Sequence, residues 1–297
     1  MRFAESPPQV AIALVVPPAA RARAPVPNGP RLSQACGDML REIAITDAGG
    51  ERRTIRVAVE RPLRVVIDGR NVATLWTLGA SPEWLVLGYL WNQQIVRQVT
   101  AIESITVDWH AGIATVTSSL GTTPMAPDAL RQRQELTPPP GTDPGGALLP
   151  GVAFDLRHPA RCRVSRSTLL TLLEQMARDD TVYRVAGSAH GCALFRESEL
   201  WLSVEDVSRR NAVDTISGWM ALHGVTGGNL ILYSTGRLTV EIVMKAAYIG
   251  ISTVVSGKGM TASCCDLAVR LGMTLFGHAA KGHFTCYAGA ERFDPAL

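Results

Sequence analysis

The chain has 297 residues, 46% hydrophobic and 19% charged, with 29 Lys and Arg against 26 Asp and Glu and a formal net charge of +3. This length accommodates two domains and this composition buries a core, while the even charge balance gives no ground for expecting a nucleic-acid partner. Six cysteines (Cys36, Cys162, Cys192, Cys264, Cys265 and Cys286) form no CxxC pair and no zinc array, so a reducing, cytoplasmic setting is expected, with no metal site.

Residues 1–38 read as a disordered Pro/Ala/Arg leader. Its apolar run Val10–Val16 is stopped by Pro17-Pro18 and is too short to span a bilayer, so no membrane association is expected. Residues 39–117 read as a small mixed α+β domain. Ile55 to Val59 alternates as a strand, and Arg64–Ile67 and Asn71–Trp76 flank the hairpin signal Asp68-Gly69-Arg70. Pro82 opens a helix that places Leu85, Val86, Tyr89 and Leu90 on one face. A second hairpin is predicted from Ser104–Trp109 and Ile113–Thr117.

Residues 118–150, rich in proline and glycine, read as a linker. Residues 151–297 read as an α/β domain. It has a helix over Ser167–Arg178, strands at Thr181–Val185, Gly191–Phe195 and Leu200–Val204, and a helix carrying Val213, Ile216 and Met220. Alternation of strands and helices then predicts a largely parallel sheet, closing with Gly272–Phe276 and a last strand from His283 to Tyr287.

Within that domain one pattern occurs twice in succession: an apolar strand, a glycine-bearing basic elbow, a helix. The first elbow is Ser234-Thr235-Gly236-Arg237 and the second Ser256-Gly257-Lys258-Gly259-Met260-Thr261. Either alone is accounted for by a turn glycine and a solvated cation. As a pair on one sheet edge they suit a pyrophosphate, because N–H groups at a helix start and a nearby cation both favour an anion.

Several segments together resemble the FdhD family of formate dehydrogenase accessory proteins, over roughly residues 55–290. Glu205-Asp206-Val207-Ser208-Arg209-Arg210-Asn211-Ala212-Val213-Asp214 is similar to the family's EDVGRHNAVD, and Ser234 to Lys245 to its SGR-x-x-x-E-x-x-x-K stretch. Ala186-Gly187-Ser188-Ala189-His190 is similar to its TGG-x-H turn, and Pro62 to Gly69 with Leu85 to Leu90 to its N-terminal half. The resemblance implies a cytidine-deaminase-like α/β fold in the C-terminal domain. It also implies binding of the molybdenum bis(molybdopterin guanine dinucleotide) cofactor, with GDP or GMP as partial mimics, and delivery to the catalytic subunit of a formate dehydrogenase. A homodimer is expected, because deaminase-like domains often pair.

The family's C-x-x-C, which takes persulfide sulfur from a cysteine desulfurase, stands here as Cys162 and Ser165. Its Gly and His in the acidic-basic motif are Ser208 and Arg210, and its S-x-S-A-P-T loop is Ser256 to Thr261. This pattern is closer to FdsC-type relatives, which act as cofactor-binding chaperones. Two roles stay open for Cys162: a loop cysteine without function, or a thiolate favoured by Arg161, Arg163 and Arg166 that carries sulfur alone.

Two roles also stay open for the acidic-basic motif. It serves as a helix start with internal ion pairs, or Asp206 and Asn211 meet a guanine or pterin edge while Arg209 or Arg210 meets phosphate. By resemblance, Gly187, His190 and the stretch Phe276, Gly277, His278, Ala279, Ala280 and Lys281 contact the cofactor. Ala279 stands close to where the family has an arginine, with Lys281 as the replacement cation. A zinc deaminase is disfavoured: position 192 is Cys rather than Glu, and Cys264 and Cys265 are adjacent on a helix.

Overall fold

The computed structural model describes residues 14–16, 23–119, 163–178 and 181–296. Two short strands, β1 (Leu14–Val15) and β2 (Arg31–Leu32), lie within the stretch expected as a leader. Strands β3 (Leu40–Thr46) and β4 (Arg52–Ala58) pair as an antiparallel ribbon. Strands β5 (Arg61–Ile67) and β6 (Arg70–Thr77) make the expected hairpin. Its turn residues Asp68 and Gly69 have φ of 44° and 79°, the left-handed pair whose twist matches the strands.

Helix α1 (Pro82–Asn92) starts on its proline, at a position where an N–H would have no intrahelical partner. Strands β7 (Ile102–Asp108) and β8 (Ile113–Ser118) form the second expected hairpin. The order β2-β7-β8-β5-β6 makes a five-stranded sheet. Leu85, Val86, Leu87 and Leu90 of α1 cover its inner residues Leu63, Val65, Ile105 and Val116.

In the second half, β9 (Val164–Ser165) leads into α2 (Arg166–Arg178). The Ser165 hydroxyl accepts from the Thr168 amide at 3.1 Å and so caps α2. A short helix, α3 (Val182–Ala186), replaces the strand predicted at Thr181–Val185. The reason is tertiary: the Glu205 carboxylate accepts from the Val182 and Tyr183 amides at 2.6 and 3.1 Å, outweighing the strand preference of Val182 and Val185.

Strands β10 (His190–Arg196) and β11 (Glu199–Asp206) are followed by α4 (Arg209–Leu222). Next come β12 (Leu230–Ser234), α5 (Val240–Tyr248), β13 (Thr253–Ser256) and α6 (Ala262–Leu271). Strands β14 (Thr274–Ala280), β15 (His283–Ala288) and β16 (Phe293–Asp294) end the described chain. The large sheet runs β1-β11-β10-β12-β13-β14-β15. The expectation of a largely parallel sheet is corrected, because only β12–β13 and β13–β14 are parallel. Short links at β10–β11 and β14–β15 reverse the chain, and only a helical crossover permits a parallel neighbour.

Alternation along these strands fills both faces. Leu232, Val254 and Leu275 lie under Ile216, Ile242 and Leu267 of the three helices on one face, while Phe195, Tyr233, Val255 and Phe276 meet Leu169 and Leu172 of α2 on the other. Among the described residues no helix is long and apolar enough to cross a membrane.

The two halves meet where α1 crosses α4. A Cβ on Gly88 would lie 1.7 Å from the Asp214 carbonyl oxygen, and one on Gly218 would lie 2.0 Å from that of Trp84. The helices therefore touch backbone to backbone, and only hydrogen fits at either position. Asn92 then reaches across to donate to Asp214 at 2.6 Å and to Ser217 at 3.0 Å. Gly218→Ala is expected to force the helices apart and lower unfolding stability by roughly 3 kcal/mol. Gly228→Ala, which meets nothing within 4 Å, serves as the control and stays near wild type. Urea denaturation of both variants checks this, and equal midpoints would contradict it.

Candidate functional site

The two elbows leave neighbouring parallel strands, β12 and β13, paired from Ile231↔Thr253 to Ser234↔Ser256. They are laced together. The Gly257 amide donates to the Ser234 carbonyl at 2.9 Å, the Ser256 hydroxyl to the Gly236 carbonyl at 2.7 Å, and the Leu238 amide to the Gly259 carbonyl at 3.2 Å. The Gly236 amide donates to Ser234 Oγ at 3.2 Å and the Lys258 amide to Ser256 Oγ at 3.0 Å. This corrects the expectation that the elbow amides stand open: the strands' own serines take several of them. Thr261 likewise donates its amide to Leu238 and precedes α6 without a side-chain cap. The elbows also offer cationic side chains outward, since Arg237 and Lys258 are both exposed.

A third segment completes the corner. The Thr235 amide donates to the Gly191 carbonyl at 2.9 Å, and Thr235 Oγ1 accepts from the Gly191 amide at 3.0 Å. This fastens the start of β10 to the first elbow and brings His190 beside Gly236, where an added Cβ would lie 3.2 Å from His190 Nδ1 and 3.1 Å from Arg209 Cδ. His190 Nδ1 and Arg209 Nε are buried nitrogens without a hydrogen-bond partner among the described residues.

Burial lowers the pKa of His190, and Arg209 lowers it further. Arg209 is itself pushed down by burial and by the charges of Arg210 and Arg237. His190, Arg209, Arg210, Arg237 and the exposed Lys258 thus gather positive potential and under-bonded nitrogen at one sheet corner. Such a corner suits an anion carrying several acceptor oxygens.

Arg210 bonds Glu241 at 2.5 Å, and Glu241 also meets Lys245 at 3.4 Å. Lys245 in turn meets Asp214 at 2.8 Å. Burial opposes the Lys245 charge, but Asp214 and Glu241 more than offset it and hold its pKa up. This chain runs from the arginine corner to Asn92 at the helix crossing. The reading of the site from sequence left Glu241 and Lys245 out, although their i,i+4 spacing was a signal for a pair.

Asp206, the register partner of His190, and Asn211 are both engaged in hydrogen bonds within the protein. Asp206 accepts from the Thr77 hydroxyl, the Leu78 amide at 3.3 Å, the Ser208 amide at 3.0 Å and Asn211 Nδ2 at 3.0 Å. Asn211 also donates to the Trp76 carbonyl at 2.7 Å. Both side chains join β6 to α4, a role without local sequence signal because Thr77 lies 129 residues from Asp206.

Gly187 closes α3 at φ 67° and is exposed. Phe276 and Ala279 are buried in the cluster around Leu169 and Leu172. Gly277 and His278 adjoin the second elbow, the His278 amide donating to the Lys258 carbonyl at 2.9 Å. Ala280 and Lys281 are exposed at the β14–β15 turn. Cys264 is a core residue whose thiol burial pushes up to about 12, and Cys265 lies half-buried beside it. Cys162 lies outside the described residues.

A model of the FdhD/NarQ family matches residues 58–294. The sulfur carrier protein FdhD of Bacillus subtilis is 27% identical over 241 residues, spanning 80% of this chain and 90% of its own. That of Sulfurisphaera tokodaii is 29% identical over 243 residues, spanning 80% and 91%. A crystal structure from Desulfotalea psychrophila, provisionally named a formate dehydrogenase accessory protein, superposes with a TM-score of 0.67 at 22% identity, covering 86% of this chain and 98% of that one. At this identity the likeness concerns the fold.

The Asp206 joint has a pH signature. Burial pushes its carboxyl up to about 6, against the lowering effect of the four hydrogen bonds. The folded chain therefore holds a proton between about pH 4 and 6 that the unfolded chain has released. This contribution is complete below about pH 4 and is lost as pH rises through 6. Wild type should lose up to roughly 3 kcal/mol relative to Asp206→Asn between pH 4 and 7. Parallel stability curves for the two proteins, measured by urea titration, would refute it.

Proposed function

The chain belongs to the FdhD/NarQ family, and from that premise we propose that it is an accessory factor of formate dehydrogenase that binds the molybdenum bis(molybdopterin guanine dinucleotide) cofactor and hands it to the catalytic subunit. The observation that carries this reading is the convergence of the two elbows with His190 and Arg209 at one sheet corner. Orphaned nitrogens on His190 and Arg209 fit an acceptor-rich group, and Gly236 lets both side chains close on the elbow where a Cβ would crowd them. Arg237 and Arg209 are suited to fork onto phosphate oxygens and Lys258 to act as a point charge. When bound, the cofactor brings the molybdenum chemistry that the client enzyme uses.

The chain's own residues bind, orient and shield. His190, kept towards its neutral form by burial, can donate or accept at Nδ1 without adding another cation to the cluster. Arg210 is positioned by Glu241, whose negative charge partly offsets the repulsion of Arg210 and Arg237 on Arg209. No bond to substrate need be made or broken by the protein in this role.

The names of the relatives favour a second reading, in which Cys162 carries persulfide sulfur received from a cysteine desulfurase. Ser165 stands where the partner cysteine would, and its hydroxyl caps α2. A lone thiolate can accept sulfur but has no neighbour at that spacing to resolve the persulfide.

Calorimetry separates these. Under the first reading the protein binds GDP, Lys258→Ala and Arg237→Ala each weaken binding by about tenfold or more, and added salt weakens it further. Absence of guanine-nucleotide binding overturns it. Under the second, incubation with a desulfurase and cysteine adds about 32 Da to Cys162 in intact-mass measurement. An unmodified Cys162 removes that reading.

A further inference from the structure

Beyond the anion corner, two rings stand beside the second elbow: His278 on β14, so far placed with the cofactor by resemblance alone, and Tyr287 on β15, which has had no role above. The Gly259 backbone lies against the His278 imidazole, since an added Cβ would sit 3.2 Å from His278 Nε2. The His278 ring lies 6.2 Å from that of Tyr287, with 39° between their planes. Tyr287, on β15, rests on the bare backbone of Gly277: a Cβ there would be 2.8 Å from Tyr287 Cε2, 2.8 Å from Met260 Cε and 3.2 Å from the Lys258 carbonyl oxygen. Strand β14 thus places a glycine where the elbow, Met260 and the tyrosine ring converge.

Both rings are exposed, and Tyr287 is one of the few large apolar side chains so placed, at 37%. On β15 its neighbours Cys286 and Ala288 turn inward to the two cores. An aromatic side chain beside a phosphate-gripping cation has a specific use. It offers a π-face to a flat heterocycle attached to that phosphate, and every purine or pterin has such a face.

We infer that Tyr287, with His278, is a stacking shelf that positions the flat ring of a guanine nucleotide or pterin while Lys258 holds its phosphates. The inference rests on the anion-corner reading and adds to it the residue that distinguishes a nucleotide from a bare diphosphate. Gly277 is required by this arrangement because any side chain there would lift the tyrosine ring off the strand. Hydrophobic contact and ring stacking, rather than a hydrogen bond, carry the effect, so a phenyl ring suffices.

The test compares GDP with inorganic pyrophosphate, by calorimetry on the full chain. Wild type should bind both. Tyr287→Ala should weaken GDP by about tenfold or more and leave pyrophosphate unchanged, Tyr287→Phe should restore GDP binding, and His278→Ala should weaken GDP alone by a few-fold. Lys258→Ala should weaken both ligands. If Tyr287→Ala and His278→Ala bind GDP as wild type does while Lys258→Ala weakens both ligands, the shelf is wrong and the anion corner stands. If wild type binds neither ligand, the anion corner fails and the shelf with it. Should Tyr287→Ala not fold, the His278→Ala and Tyr287→Phe results decide: GDP affinity unchanged in the first overturns the shelf, and loss in the first with retention in the second supports it.

Discussion

Helices α1 and α4 touch without side chains between them where Gly88 meets Gly218, and this contact fixes how the two halves of the protein sit. Two helices separated by ordinary side chains lie 8–10 Å apart. Removing both Cβ atoms lets the backbones close and brings Asn92 within reach of Asp214. The same approach carries the end of β6 to the start of α4, where Thr77 and the Trp76 carbonyl meet Asp206 and Asn211. The start of α4 also bears Arg209 and Arg210. The arginine corner is therefore positioned by a contact between halves, and not by the C-terminal sheet alone.

The polar groups along this junction form a continuous series, buried at Asp214 and Lys245 and partly exposed at Asn92, Glu241 and Arg210. Asn92, Asp214, Lys245, Glu241 and Arg210 bond one to the next. A buried charge left without its partner is strongly unfavourable, so each member constrains its neighbours' rotamers. The junction fixes not only distance but the direction in which Arg210 leaves its helix. Function and stability are coupled here through shared residues: the motif that looked like a ligand-binding signature, Asp206 to Asp214, divides between fastening the halves and presenting cations.

At the sheet corner the division of labour is different from the one the glycine-rich elbows suggested. A phosphate loop in which open amides point at the ligand would leave those amides unbonded within the protein. Here Ser234 and Ser256 occupy the Gly236 and Lys258 amides, which braces the elbows and gives the exposed cations and the buried nitrogens of His190 and Arg209 a larger share of the contact. A fixed frame with exposed cationic side chains suits an anion with several acceptor oxygens. The charge supplies attraction that long side chains can yield, while the frame keeps the corner from collapsing on itself.

Much of this was legible in the sequence. Hydrophobic alternation and turn chemistry located the Asp68-Gly69 hairpin and Pro82 at the start of α1, because each depends on local backbone preference. The adjacency of the elbows was likewise legible, since consecutive βα units place their loops on one sheet edge. Other features were not. Val182 to Ala186 is helical because Glu205, distant in sequence, holds its first amides. Asp206 turns to Thr77, and Phe276 and Ala279 pack in the cluster with α2, because sheet register and helix packing decide which way a side chain points. Local pattern determined which elements exist and where the cations stand in the chain; the meeting of distant backbones at Gly88 and Gly218 decided which of them face a common site, since contacts between residues far apart in sequence leave no periodic trace in it.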